Sequence, residues 1–451
     1  VAEWHGEAME FLASPDGSRA LILPWFKQSP ILWDLTTGRC LPALSGLFQP
    51  VTCAAFSPDG SMLAFADSDG FKTFIRLRET TAGRELRQLG EGKQAFSVSA
   101  LAFSPDGRTL AAGYTDGSLT LWDLITNRPR HRVTGPQKKW VWPVTFSSDS
   151  RLLAAVWEGE YVIHLYETMS GQEIRVLRGQ STPIHALAFA ADNRTLASSG
   201  PVPDSADKEC LPPFTKLEAA IHLWDVLTGK QIHRLPGHQG RVHTLAFSSD
   251  GNTLVSGGGV EMVLSWDVAA VTHRRPDSKE LPSAKLTDLW SALAARDAAR
   301  AQRAVAELIQ SPDTALTFLE KMLLPVPPVK LASIVALIAD LDHADFARRE
   351  RASRELEKIG EPAGPALRKL LKEKPSLEVR KRIEILLEAI DGRPTSPEGL
   401  RTFRALQVLE TIGTPKAKQI LEGLASGAAE AALTQEAKAA LTRLSRRNAN
   451  R

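Results

Sequence analysis

The sequence predicts two folded parts in one chain, an all-β six-bladed propeller followed by an all-α helical domain. Three observations carry this. A short turn motif recurs six times, as Ser14-Pro-Asp-Gly17, Ser57-Pro-Asp-Gly60, Ser104-Pro-Asp-Gly107, Ser147-Ser-Asp-Ser150, Ala190-Ala-Asp-Asn193 and Ser248-Ser-Asp-Gly251. Its starts lie 43, 47, 43, 43 and 58 residues apart, and the last spacing returns to the period when a 15-residue insertion is set aside; repeats of about 40 to 45 residues are the length of one four-stranded propeller blade. From about Leu286 onward the apolar residues change from a period of 2 to one of 3.6, the signature of amphipathic helices.

Each repeat reads as four strands. Val98-Ser-Ala-Leu-Ala-Phe103 is the first, and the Ser-Pro-Asp-Gly turn closes it, because Pro presets φ, Asp caps its own backbone and Gly accepts positive φ. Thr109–Ala112, the Asp116-Gly117 turn and Ser118–Asp123 supply the second and third strands, and a Thr/Gly turn with a short strand ends the unit, as in Thr228–Leu235. The insertion falls at about residues 200–218, where prolines and charges cluster. The sixth unit has no convincing fourth strand, whereas Val1–Trp4 reads as a fourth strand without the preceding three, so the two remnants are expected to complete one blade. The start at Val1 in place of Met also predicts that the chain is part of a longer one.

The expected organisation is a propeller over residues 1–273, a Pro-rich and charged linker over 274–285, a helical domain over 286–445 and a basic tail over 446–451. The helices end at Gly and restart at Pro, as at Ile359-Gly360 before Pro362 and Ile412-Gly413 before Pro415, since Gly accepts a left-handed cap and Pro suits a first helical turn.

The propeller repeats resemble the WD40 family. The carriers are Leu32-Trp33-Asp34, Leu121-Trp122-Asp123, Leu223-Trp224-Asp225 and Ser265-Trp266-Asp267, with Gly237-His238 ahead of the sixth unit; Leu77-Arg78-Glu79 and Leu165-Tyr166-Glu167 depart from the dipeptide. The resemblance implies a buried hydrogen-bond network within blades, for which His238, Ser256 and Trp266 match in the sixth unit. The helix-Gly-Pro-helix units are similar to HEAT-type repeats. Chains of this pattern resemble bacterial multidomain proteins in which the propeller hangs from a sigma-factor or kinase effector, which implies a missing N-terminal effector domain.

Composition narrows the function. The 451 residues are 43% hydrophobic and 24% charged, ordinary for globular protein, and a net charge of +3 supplies no broad field for nucleic acid or an anionic membrane. The longest apolar run, Leu331–Leu341, is too short for the roughly 20 residues of a membrane span. Cys40, Cys53 and Cys210 are too few and too scattered for a disulfide framework or a zinc site. No motif of a serine hydrolase, a zinc protease or a phosphate-binding loop occurs, so neither a cofactor nor a metal is expected and the chain reads as a non-enzyme.

The second residue of each first strand forms one equivalent series, Met9, Thr52, Ser99, Trp142, His185 and His243. The WD40 resemblance implies that this position lies near the rim of the central channel. Trp140, Lys138, Lys139 and Arg241 flank it, and Tyr114, Trp157, Trp25, Phe26 and Phe71 fall between second and third strands. These residues read either as aromatics packed between blades or as a partner-binding face, since Trp, Tyr and Arg are enriched in interaction hot spots. The expected partner-binding set is Trp142, His185, His243, Trp140, Trp157, Tyr114 and Arg241. The function expected is a protein-protein interaction scaffold, the propeller binding a protein or peptide and the helical module a second partner or domain, in a cytoplasmic monomer for which nucleic acid is not the expected ligand. The alternative is a hydrolase or quinone-dependent dehydrogenase using the propeller channel, because fold alone does not exclude chemistry.

Overall fold

The computed structural model describes residues 8–24, 30–41, 51, 53–68, 73–90, 97–135, 139–180, 182–200, 219–238, 242–258, 263–272, 281–373, 375–392 and 395–449. Two compact units, Val1–Arg274 and Arg275–Arg451, make up the chain. The first is a six-bladed β-propeller. Blade one holds β1 (Ala8–Ala13), β2 (Arg19–Pro24), β3 (Ile31–Asp34) and β4 (Arg39–Leu41). Blade two holds β5 (Ala54–Phe56), β6 (Met62–Ser68), β7 (Thr73–Glu79) and β8 (Glu85–Leu89). Blade three holds β9 (Val98–Phe103), β10 (Thr109–Tyr114), β11 (Ser118–Asp123) and β12 (Arg128–Thr134). Blade four holds β13 (Val141–Phe146), β14 (Leu152–Trp157), β15 (Ile163–Glu167) and β16 (Glu173–Leu177). Blade five holds β17 (Ala186–Phe189), β18 (Thr195–Ser199), β19 (Ala219–Asp225) and β20 (Lys230–His238). Blade six holds β21 (Val242–Phe247), β22 (Thr253–Gly258) and β23 (Val263–Asp267), and the short helix α1 (Ala269–Thr272) follows where other blades have a fourth strand. The strand expected from Val1–Trp4 lies outside the described residues.

The recurrent turn works as its chemistry predicts. Ser14 Oγ donates to Asp16 Oδ1 at 2.5 Å and accepts the Arg19 N–H at 2.9 Å, and Ser57, Ser104, Ser147 and Ser248 repeat both bonds. In blade five Ala190 has no hydroxyl, and Asp192 accepts the Thr195 N–H directly at 2.8 Å. The fourth turn residue is left-handed in all six, at Gly17, Gly60, Gly107, Ser150, Asn193 and Gly251. The two that are not glycine link blades: Ser150 Oγ accepts the Asp106 N–H at 3.0 Å, and Asn193 Oδ1 accepts the Asp149 N–H at 2.9 Å.

Successive blades meet through one repeated apolar interface. Blade five presents Ala186, Ala188, Ala197, Ile221 and Leu223 to Val242, Leu245, Leu254 and Val268 of blade six. Blades two and three meet in the same way through Ile75 and Leu77 against Val98, Leu110 and Leu124, and blades three and four through Leu119 and Leu121 against Val141 and Leu153. A polar staple runs beside this packing from the fourth strand to the next blade's turn. Arg87 donates to Leu124 O, His131 Nε2 to Met169 O at 2.8 Å, and Arg175 to the carbonyls of Leu227 and Thr228 at 3.0 Å.

The second unit is helical: α2 (Ser283–Leu293), α3 (Ala298–Ile309), α4 (Pro312–Met322), α5 (Leu331–Asp340), α6 (Phe346–Ile359), α7 (Gly364–Lys372), α8 (Leu377–Gly392), α9 (Pro397–Ile412), α10 (Pro415–Ala425) and α11 (Ala432–Ala449). Gly360 and Gly413 end α6 and α9 with positive φ, and Thr414 caps the restart at Pro415. Pairs α5 and α6, α7 and α8, and α10 and α11 pack as neighbours, around Ile334, Leu356, Leu367 and Ile383 in the first two. Arg404 of α9 is fully buried and donates to Leu293 O at 2.6 Å and Ala295 O at 2.8 Å, which satisfies carbonyls that the end of α2 leaves open.

Candidate functional site

Among the described residues, three of the four exposed large aromatic side chains of the propeller gather at one end of blade four, the fourth being Phe11 of blade one. Trp140, just before β13, is 54% exposed, Trp142 within β13 is 42% exposed, and Tyr161, between β14 and β15, is 48% exposed. Backbone pairing aligns their segments: Val141 lies opposite Trp157, and the Glu158 N–H donates to Trp140 O at 2.8 Å. The cause of the exposure is strand alternation, since Val141 faces the neighbouring blade and is fully buried, which turns Trp142 outward. Blade three holds the strand in place, as Ser99 Oγ donates to Val141 O at 2.9 Å and Gly113 leaves room for the Val141 backbone that a Cβ would occupy. The Trp142 ring meets His185 of the next blade at 5.4 Å between centroids, so the surface spans two blades. Lys139 is exposed beside Gly159 on the same end.

Two members of the expected binding set are not on this surface. Trp157 is fully buried; its indole N–H donates to Gly117 O at 3.0 Å and its ring stands edge-on to His164 at 4.9 Å. Tyr114 is buried as well, and burial pushes its phenol up from its ordinary value. Both were expected between strands, but the second strand runs further than expected and makes them the last residues of β10 and β14, inside the sheet stack. Trp157 fills the space above Gly135, where a Cβ would collide with the indole. His243 is exposed and His185 half-buried. Arg241, Lys138, Trp25, Phe26, Phe71 and Thr52 lie outside the described residues. Tyr161 was not anticipated, and its signal was a lone aromatic following the Glu158-Gly-Glu160 turn.

Beneath this surface lies a polar cluster. His164 stands between two carboxylates, its Nε2 3.0 Å from Glu160 Oε2 and its Nδ1 2.7 Å from Glu173 Oε2, while burial followed by the Glu173 charge pushes the Tyr166 phenol well above its ordinary range. The blade networks are also explicit. In blade six Trp266 Nε1 donates to Ser256 Oγ at 2.8 Å, and Ser256 Oγ lies 2.6 Å from His238 Nε2. Blade five builds the same triad with Gln180 in place of His, Trp224 Nε1 donating to Ser198 Oγ and Ser198 Oγ to Gln180 Oε1. The aligned pairs Gly179-Gln180 and Gly237-His238 were the available signal. Where the serine is Ile22 or Ala112, the indoles of Trp33 and Trp122 lack that acceptor.

Comparison with known proteins agrees with this architecture. Residues 27–214 match the family described as Nucleolar protein 10-like, N-terminal domain, and residues 229–264 match the WD domain, G-beta repeat. Periodic tryptophan protein 2 of Arabidopsis thaliana is 24% identical over 237 residues, 52% of this chain and 24% of that protein. U3 small nucleolar RNA-interacting protein 2 of Mus musculus is 30% identical over 112 residues, 22% of this chain and 20% of that protein. A chain of the crystal structure of the mitotic checkpoint complex aligns at 20% identity with a TM-score of 0.45, covering 58% of this chain and 77% of that one. The chain thus spans about a quarter or less of the length of these curated relatives. They are eukaryotic, and the bacterial affinity expected of the sequence finds no support in them. Among the described residues no helix is long and apolar enough to cross a membrane. Repeats, blade networks and matches together make this a WD40-repeat chain, a six-bladed propeller with a C-terminal helical region.

Proposed function

We propose that the chain is a non-catalytic interaction scaffold that binds a protein or peptide at the blade-four surface of Trp140, Trp142, Tyr161 and His185, with the HEAT-like helical unit docking a second partner or domain. The observation that carries this is the concentration of three large aromatics at least 42% exposed at one end of one blade, whereas Tyr114, Trp157 and Tyr166 of blades three and four are buried in the stack. Such anchors are the residues that dominate binding energy at interfaces. The nucleolar family match and the U3 small nucleolar RNA-interacting relative favour a nucleolar assembly over a cytoplasmic one. They also favour a second reading, in which the same rings stack bases of an RNA beside Lys139.

Affinity capture with the full chain and with a Trp140→Ala/Trp142→Ala variant tests both. The variant is expected to melt as wild type does and to lose, more than tenfold, protein partners that survive ribonuclease treatment. Loss only of ribonuclease-sensitive partners transfers the site to the RNA reading, and an unchanged partner set overturns both.

A further inference from the structure

Positive charge collects on the outer rim of the propeller. The first strands of neighbouring blades lie against one another, β1 on β5, β5 on β9, β9 on β13, β13 on β17 and β17 on β21, so the fourth strands end their sheets on the outside. The five fourth strands, β4, β8, β12, β16 and β20, carry eight Arg or Lys against two Glu, in a chain whose basic and acidic residues number 55 and 52. Both glutamates turn to the third strand of their own blade, Glu85 to Arg76 and Glu173 to His164, each at 2.7 Å. Arg130 and Arg132 have Asp123 and Asp116 as partners. Among the described residues, Arg39, Arg87, Arg128, Lys230 and Arg234 form no ion pair, nor does Arg178 immediately after β16, and all six are exposed. Every blade with a fourth strand supplies at least one of them. The staples bring them together across junctions, since Arg87 donates to Asn127 Oδ1 at 3.1 Å, next to Arg128, and Arg175 to Thr228 O at 3.0 Å, two residues before Lys230.

We propose that this rim binds a single-stranded nucleic acid through its phosphates, at a site separate from the blade-four surface. The distribution of charge selects the partner. A phosphate ion or a phosphorylated peptide would engage one blade, whereas these cations are spread over five, which suits a chain that carries one charge per unit and bends freely. A duplex is too stiff to follow such a rim, with a persistence length of about 150 base pairs. Five of the six are Arg, whose planar fork matches a phosphate at two points. An acidic peptide adding to the strand edge is disfavoured by the exposed Pro129 of β12 and Pro236 of β20, which have no N–H to offer a new strand. No aromatic side chain lies in the five strands to stack a base, so binding is indifferent to sequence and to the sugar.

Fluorescence anisotropy of the full chain with labelled oligo-uridine of about 30 nucleotides, from about 50 to about 200 mM salt, tests this. The logarithm of the affinity is expected to fall linearly with that of salt, by about 0.7 for each phosphate neutralised, and oligo-deoxythymidine to behave alike. Arg128→Ser/Lys230→Ser/Arg234→Ser removes three exposed charges and is expected to flatten the slope by about 2 and weaken binding at least tenfold at the lower salt. The charge-retaining Arg128→Lys/Lys230→Arg/Arg234→Lys is expected to bind as wild type does, and Trp140→Ala/Trp142→Ala to keep the wild-type slope. Wild type that binds neither oligonucleotide overturns the proposal, as does a serine variant with an unchanged slope or a charge-retaining variant as weak as the serine one. Polyglutamate competing as well as oligo-uridine at equal charge also overturns it, and assigns the rim to an acidic protein.

Discussion

At the scale of single residues, burial separates the tryptophans of blade four into two kinds. Trp157 is fully enclosed and hydrogen-bonded to Gly117 O, so Trp157→Ala is expected to cost about 3–5 kcal/mol through the cavity and the lost contacts. Trp142 is partly exposed, and Trp142→Ala is expected to change stability by under about 1 kcal/mol. Denaturant midpoints of the two variants check this contrast, and equal losses would remove the distinction on which the binding surface rests. Arg404 poses a different test. Its guanidinium is buried and fills the open carbonyls at the end of α2, so Arg404→Leu keeps much of the bulk but leaves those acceptors unpaired, at roughly 2–3 kcal/mol, read as a lower melting temperature.

At the scale of elements, the blade is held by backbone geometry as much as by apolar area. Gly135 faces the indole of Trp157 so closely that any side chain there displaces it, and Gly135→Ala is expected to destabilise the propeller by about 1–3 kcal/mol, the range of overpacked cores. Calorimetry reads this directly, and a melting temperature equal to that of wild type would mean that the ring rearranges freely. The staples between blades are polar and partly exposed, so they set register more than stability. Their recurrence in blades two, three and four, always from the residue opposite the leucine before the Trp-Asp position or its replacement, explains how blades with Arg78 or Tyr166 instead of Trp still stack in order.

For the whole molecule, pH is the informative variable. Burial holds His131, His222 and His238 below the ordinary imidazole range. A histidine depressed in the folded state stabilises the fold fully above its unfolded value of about 6.5 and loses that contribution as pH falls, because the unfolded chain takes the proton first. The propeller is therefore expected to melt at lower temperature at pH 5 than at pH 7.5. His238→Gln copies the arrangement that blade five makes with Gln180 and is expected to reduce the acid sensitivity while keeping the Ser256 hydrogen bond. A melting curve of that variant as acid-sensitive as wild type would assign the effect to other groups.

The sequence by itself determined the number of repeats, the turn chemistry and the helix boundaries, since these depend on local matters: the φ that Gly, Asn or Pro tolerates, the reach of a Ser or Asp side chain to its own backbone, and the period of apolar residues. Val141 and Trp142 show where local reading ends. Their alternation is visible in the sequence, but which of the two faces water depends on blade three, through Ser99 and Gly113. Trp157 and Tyr114 were indistinguishable from surface anchors because aromatic residues serve both cores and interfaces, and only a neighbouring blade buries them. A propeller blade is covered by its neighbours, and no single repeat encodes what those neighbours place against it.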